Sequence, residues 1–308
     1  MKQLFVTFIF LFVCTGLLAQ NITREEVVFK SGEHVLEGTL ALPASVQNVP
    51  VVIFLGGINE YGELHQQYES FVRENLEAVF VPSGVAVFYF NPRGVGGSDG
   101  RWRRATFEDF RDDALAAIQF IKQRREVNPN RIGFLGHGEY GYIAQMIGAQ
   151  SAKQVQFIAT LATPTFTPEK QLINQYYNEY LCNEEDSSSA RQKAEQKASS
   201  HQNWVSVLPL TRRWRHMKMK QGFEPDQDIS GITSPALFIF AENDPKLSPE
   251  WAMDELDIIF SGEIPKHIST YTISGANHYF HVTGPCFEYD RDDPRLLELN
   301  FSFRFREV

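Results

Sequence analysis

The sequence predicts an α/β fold, a doubly wound and mostly parallel sheet with leading antiparallel strands and a helical insertion. Near-continuous apolar runs recur at Val51–Leu55, Val85–Tyr89, Ile132–Leu135, Phe157–Leu161, Ala236–Phe240 and His267–Ile273, the pattern of strands buried on both faces of a parallel sheet. Helical periods separate these runs, and strand–helix alternation of this kind winds helices onto both faces of one sheet. A long stretch, about 164–226, breaks the rhythm with no strand-like run.

Taken in order, the chain opens with Lys2 and an apolar run from Leu4 to Val13, followed by Leu17-Leu18-Ala19 ahead of Gln20. Residues 1–19 therefore read as an export signal, too short to be a spanning helix. The mature chain is expected to be exported, to the periplasm or beyond, with no stable membrane insertion once the signal is removed. Cys14 lies inside the apolar run behind Val13, where a lipoprotein box needs a small residue, so no lipid anchor is expected. Val27–Lys30 and His34–Leu42 then alternate apolar and polar around Ser31-Gly32-Glu33, which predicts an antiparallel hairpin with one buried face. The clearest helix runs from Phe107 to Arg125, with Thr106 capping its start and Asp109 completing a capping box.

The segment at about 164–226 carries Tyr176, Tyr177 and Tyr180, a Ser-rich patch at 184–189, and a basic cluster of Arg212, Arg213, Arg215, Lys218 and Lys220. It reads as a helical cap inserted between two sheet strands, with the cluster as a solvated face. Once the signal is removed, Cys182 and Cys286 remain, and in an oxidising compartment they could pair. Phe301–Val308 alternates like an added strand.

Composition narrows the function classes. At 308 residues and 43% hydrophobic content the chain can bury a large core, so 20–308 is expected to fold as one unit. Its 29 basic and 38 acidic side chains give a net charge of -9, which disfavours nucleic acid and anionic membrane surfaces as partners. The eight histidines show no paired ligand spacing such as H-E-x-x-H, so neither a metal nor a cofactor is implied.

Four motifs carry chemistry. After the run at Val85 comes Asn91-Pro92-Arg93-Gly94-Val95-Gly96-Gly97-Ser98-Asp99-Gly100, and after the run at Ile132 comes Gly136-His137-Gly138-Glu139-Tyr140-Gly141. Downstream lie Glu242-Asn243-Asp244-Pro245-Lys246-Leu247-Ser248-Pro249 and Gly275-Ala276-Asn277-His278. From Val51 to His278 this arrangement resembles the α/β-hydrolase superfamily, and within it secreted bacterial serine esterases and serine-aminopeptidase-like hydrolases. Their elbow segment reads G-H-S-x-G-G.

The resemblance implies a catalytic triad in the order serine, acid, histidine, with Asp244 as the acid and His278 as the base. The serine position is Gly138, which has no nucleophile to offer but tolerates the positive φ of the elbow. Tyr140 replaces a customary small residue, and the packing behind the turn is expected to have shifted. The resemblance also places oxyanion donors at the backbone N–H groups of Glu139 and Gly57, and gives Arg93 the role of tying loops together.

Two functions follow. One is a catalytically impaired relative that binds a small acyl-ester or peptide-like ligand, or a protein partner, under the cap. The other is an enzyme of residual or altered ester hydrolysis in which His278 activates a water. An engineered Ser-to-Gly exchange would leave the same pattern, although Tyr140 as a second departure points to natural drift.

Overall fold

The computed structural model of the chain describes residues 22–44, 46–56, 71–183 and 186–286. The export signal, Gly57 and the strand expected at 301–308 lie outside those residues. The described strands form one sheet in the order β1-β2-β4-β3-β5-β6-β7-β8. They are β1 (Ile22–Ser31), β2 (His34–Pro43), β3 (Val49–Leu55), β4 (Ala86–Phe90), β5 (Val127–His137), β6 (Phe157–Leu161), β7 (Ala236–Ala241) and β8 (Ile268–Ile273). β1 pairs with β2, and β2 with β4, antiparallel. The remaining pairs are parallel.

The apolar runs are continuous because successive residues enter opposite cores. Val51 and Ile53 join Phe88, Phe134, Ile158 and Phe238 on one face, under the helices Phe107–Lys122 and Gly141–Gln150. Val52 and Phe54 join Val87, Leu135, Ala159 and Ile239 on the other, under Phe71, Val72 and Leu76. A strand covered on both sides has no polar face to present.

The leading hairpin turns through Gly32-Glu33, with Gly32 at φ +57°, a left-handed conformation that favours glycine. β5 reaches further back than its apolar run because Val127 pairs with Val49 across a register irregularity, leaving Pro129, Asn130 and Arg131 exposed between. The Phe107–Lys122 helix starts as expected: Thr106 Oγ1 accepts from the Asp109 N–H at 3.2 Å, and Asp109 Oδ2 accepts from the Thr106 N–H at 2.9 Å. It stops short of Arg125, since Arg124 turns away to bond Glu25 on β1 at 2.5 Å.

Between β6 and β7 the chain forms the helices Pro168–Cys182, Ser187–Val207 and Arg212–Lys220, followed by the short Asp226–Ser230. Thr167, Asp186 and Thr211 cap the first three. In the second helix Ala190, Ala194 and Ala198 are buried, a four-residue spacing that places them on one face. Cys182 and Cys286 form a disulfide that fastens the end of the first inserted helix to the segment after β8. Among the described residues no helix is long and apolar enough to cross a membrane.

Candidate active site

β5 ends at His137, and Gly138–Tyr140 make a single tight turn into the helix Gly141–Gln150. Gly138 sits at φ +58°. The turn is closely packed: a Cβ on Gly136 would lie 2.3 Å from the Tyr140 carbonyl oxygen, and one on Gly141 would lie 1.8 Å from the Thr163 side-chain Oγ1. No side chain fits at either place. Tyr140, by contrast, has ordinary helical angles of φ -75° and ψ -7°. Its ring is buried with its centroid 5.1 Å from that of Phe110. The expectation of displaced packing behind the turn is therefore corrected, because the close approach is made by Gly136 and Gly141 and position 140 has room for a ring.

The acid and the histidine arrive from the next two strand ends. Asp244 follows β7, where its Oδ1 accepts the backbone N–H groups of Lys246 at 2.8 Å and Leu247 at 3.1 Å. Its Oδ2 lies 2.7 Å from His278 Nδ1. A carboxylate only accepts, so Nδ1 is the donor to Asp244, and in the corresponding neutral tautomer Nε2 is the acceptor. The His278 carbonyl in turn accepts from His137 Nε2 at 2.8 Å. Burial, then the neighbouring His278, hold His137 well below the usual histidine range, which keeps it a neutral donor.

These contacts aim His278 at the elbow. A Cβ on Gly138 would meet His278 Nε2 at 3.5 Å and Cε1 at 3.8 Å, with no other atom of the described residues beyond the adjoining ones within 4 Å. Gly138, Asp244 and His278 are thus brought together, with Asp244 and His278 both buried. Glu139 starts the following helical turn, where the first N–H groups have no partner inside the helix. Gly57 lies outside the described residues, whose last member before the gap is Gly56 at the end of β3.

Arg93 does tie elements together. Its guanidinium bonds Asp113 at 2.7 and 2.8 Å and Asp109 at 2.6 Å, both on the Phe107–Lys122 helix. Ser31 at the end of β1 donates to the same Asp113 at 2.6 Å. Arg93 thereby holds the loop after β4 against a helix and the hairpin.

Of two inserted residues that the sequence left in a solvated cluster or did not single out, Lys220 reaches the elbow and His216 packs beside Phe110. Lys220 is 5% exposed and forms an ion pair with the Glu139 carboxylate. His216, one turn earlier, packs with its ring centroid 5.1 Å from Trp102 and 6.0 Å from Phe110. Burial and the nearby Lys220 charge push its pKa well down. Reading the cluster as a solvated face holds for Arg212, Arg213, Arg215 and Lys218 but not for Lys220. The available signal was the i, i+4 spacing of His216 and Lys220, which puts both on one side of the helix. Among the described residues no group of acidic, histidine and cysteine side chains could hold a metal ion.

Residues 47–281 match the family model described as serine aminopeptidase, S33. No curated protein matches the chain by sequence. Solved structures share its fold at low identity. DcsB, solved in complex with its substrate analogue, is 15% identical with a TM-score of 0.59, covering 85% of this chain and 93% of DcsB. An esterase of Pyrococcus furiosus is 13% identical with a TM-score of 0.59, covering 83% of each chain. Est1E from Butyrivibrio proteoclasticus, solved with ferulic acid bound, is 16% identical with a TM-score of 0.57, covering 91% of this chain and 96% of Est1E.

Proposed function

The chain belongs to the serine aminopeptidase S33 family, α/β-hydrolases of esterase and peptidase type, and we propose that it is a catalytically impaired member binding a small acyl-ester or peptide-like ligand between the strand ends and the inserted helices. The observation that carries this is the glycine itself. At position 138 the turn keeps a positive φ and aims at His278 Nε2, yet supplies no hydroxyl. In a serine protease, loss of the serine costs about a millionfold in turnover, while binding and the oxyanion donors alone keep about a thousandfold or more over water. A binding cleft outlasts such a loss.

In this reading Asp244 and His278 are the remaining acid and base, Glu139 and Gly57 supply backbone N–H donors for an acyl oxygen, and the inserted helices act as the cap. The ester oxygen would lie against donors that do not depend on side-chain identity. The His278–Asp244 bond at 2.7 Å favours one second reading, slow hydrolysis of activated esters by a water that His278 deprotonates.

A single pair of proteins tests the proposal: the chain with Gly138 and Gly138→Ser, assayed on short p-nitrophenyl esters and with a serine-directed fluorophosphonate. The expected result is that only the serine variant is labelled and that its ester turnover rises by about a thousandfold or more. Efficient hydrolysis by the glycine protein, abolished by His278→Ala, would overturn the impaired reading in favour of the water route.

A further inference from the structure

Thirteen large apolar side chains are exposed among the described residues, and four of them, Trp204, Val207, Leu208 and Leu210, fall within seven positions of the insertion. Val207 is 78% exposed and Leu210 64%. Trp204 and Val207 stand one turn apart at the end of the helix Ser187–Val207, and Leu208 and Leu210 follow in the turn. Apolar side chains gathered on an otherwise polar surface mark an interaction site, whereas single ones do not.

Cations are built onto the same turn. From the next helix, Arg212–Lys220, Lys218 Nζ donates to the Ser206 carbonyl at 2.7 Å, and the Arg215 guanidinium donates to the carbonyls of Pro209 at 3.3 Å and Leu210 at 3.1 Å. These bonds satisfy carbonyls that the end of a helix leaves open, and they fasten the apolar turn to the cationic helix. Arg212, Arg213, Arg215 and Lys218 are all exposed, while Lys220 is turned inward to Glu139. From 196 to 223 the chain has no Asp or Glu.

We propose that this end of the insertion is a docking surface for an anionic lipid bilayer, with Trp204, Val207, Leu208 and Leu210 entering the headgroup boundary and the four exposed cations lying against lipid phosphates. The proposal goes beyond the reading of the cleft and does not depend on what the cleft binds. Charge complementarity chooses the occupant. Apolar side chains alone would suit any apolar partner, but four cations with no acid in the segment suit a surface that is negative throughout. A bilayer offers phosphates directly beside acyl chains, so it takes both kinds of side chain at once. A tryptophan ring fits that boundary, and arginine and lysine reach the phosphates while their stems lie along apolar surface. The net charge of -9 counts against anionic membranes for the chain as a whole. At 0.1 M salt, however, charges more than about 10 Å away are largely screened, so the cations of the patch set the attraction. Contact of this kind is peripheral and needs no spanning helix.

Residues 20–308 contain every described strand and helix, so the chain from Gln20 tests the surface without the apolar run at Leu4–Val13. Its partition onto vesicles is measured by co-sedimentation, with phosphatidylcholine containing about one-third phosphatidylglycerol against phosphatidylcholine alone. Partition should be about tenfold or more stronger on the anionic vesicles and should fall steeply with added salt. Arg212→Gln with Arg213→Gln should weaken it by about 25-fold, at about fivefold for each cation near the surface. Val207→Ser with Leu210→Ser should weaken it by about tenfold or more through lost apolar burial. Lys30→Gln with Lys153→Gln, which removes two exposed cations outside the insertion, should change it by less than about twofold.

All six substituted side chains are exposed, so denaturant midpoints should match that of the parent chain, and the two patch variants probe charge and apolar contact separately. No partition onto anionic vesicles, equal partition onto neutral ones, or an equal loss in the Lys30 and Lys153 variant overturns the proposal. Sedimentation velocity tests the other occupant. Self-association that Val207→Ser with Leu210→Ser abolishes, without vesicle binding, would assign the patch to a second copy of this chain and overturn the lipid proposal.

Discussion

Around His278 the constraints are hydrogen bonds, and around Gly138 they are steric. His278 is held at its ring by Asp244 and at its carbonyl by His137, and Asp244 by two backbone N–H groups, none of which needs a serine as partner. The elbow is fixed by the absence of side chains at Gly136 and Gly141 and by the positive φ of Gly138. On the proposed reading, a missing serine hydroxyl removes one bond from a network whose other members satisfy one another. A buried acid–base pair can outlive its nucleophile because each of its polar groups would be costly to leave unpaired.

The largest effect expected from this comparison lies on the hydrogen-bonded side. In a Gly138→Ser background, Asp244→Asn should lower ester turnover by about ten-thousandfold, since an amide presents the wrong partner to Nδ1 and favours the wrong imidazole tautomer. Steady-state rates on p-nitrophenyl butyrate measure it. A loss of less than tenfold would mean that His278 is oriented mainly by its backbone bond to His137, and the two sides would then differ less than their geometry implies.

How much of this was legible beforehand follows the same division. The strands were readable because burial on both faces writes an unbroken apolar run, and Asp244 and His278 because their loops follow such runs in a fixed order. Lys220 was hidden by its neighbours: four of the five cations in Arg212–Lys220 are exposed, and its i, i+4 spacing from His216 is the one local sign that sets the buried one apart. The Cys182–Cys286 pairing spans 104 residues and depends on where the first inserted helix ends in space, which no local pattern encodes. Tyr140 looked disruptive because sequence shows which residue departs from a motif, whereas structure shows that the tight approach belongs to Gly141 and Thr163.

The disulfide ties the two sides together, since it runs from the inserted helices to the segment that follows the His278 loop. Removing a cross-link over a loop of this length should cost about 2–5 kcal/mol, chiefly by freeing the unfolded chain. Cys182→Ser, followed by denaturant unfolding, should show that loss. Hydrogen exchange should show faster opening in 168–220 than at β5. Equal acceleration at both would mean that the insertion and the sheet open as one unit.

A smaller effect is expected where the insertion meets the elbow. Lys220 is buried, but the Glu139 carboxylate still reaches water, with 38% of its side chain exposed, so the pair is worth less than a fully enclosed one. Lys220→Met should destabilise by about 1–2 kcal/mol, and adding Glu139→Gln should recover part of that. Unfolding midpoints of the single and double variants give the coupling. No coupling would detach the insertion from the elbow.

The smallest effect concerns a polar atom at the elbow that lacks a hydrogen-bond partner among the described residues. The Tyr140 hydroxyl is buried with no hydrogen-bond partner among the described residues, while its ring packs on Phe110. Burial, and after it the charges of Glu139 and Asp113, raise its pKa well above the usual tyrosine range, so it is a neutral phenol at neutral pH. Burying a hydroxyl without a partner costs about 1–3 kcal/mol, whereas Phe keeps the ring contact and removes that cost. Tyr140→Phe should therefore be neutral or raise stability by up to about 1 kcal/mol, read as a higher denaturant midpoint at unchanged slope. The elbow, held by Gly136 and Gly141, should keep its shape. A fall in stability would show that the hydroxyl has a partner after all, and that the elbow side is fixed by polar contacts as well as by shape.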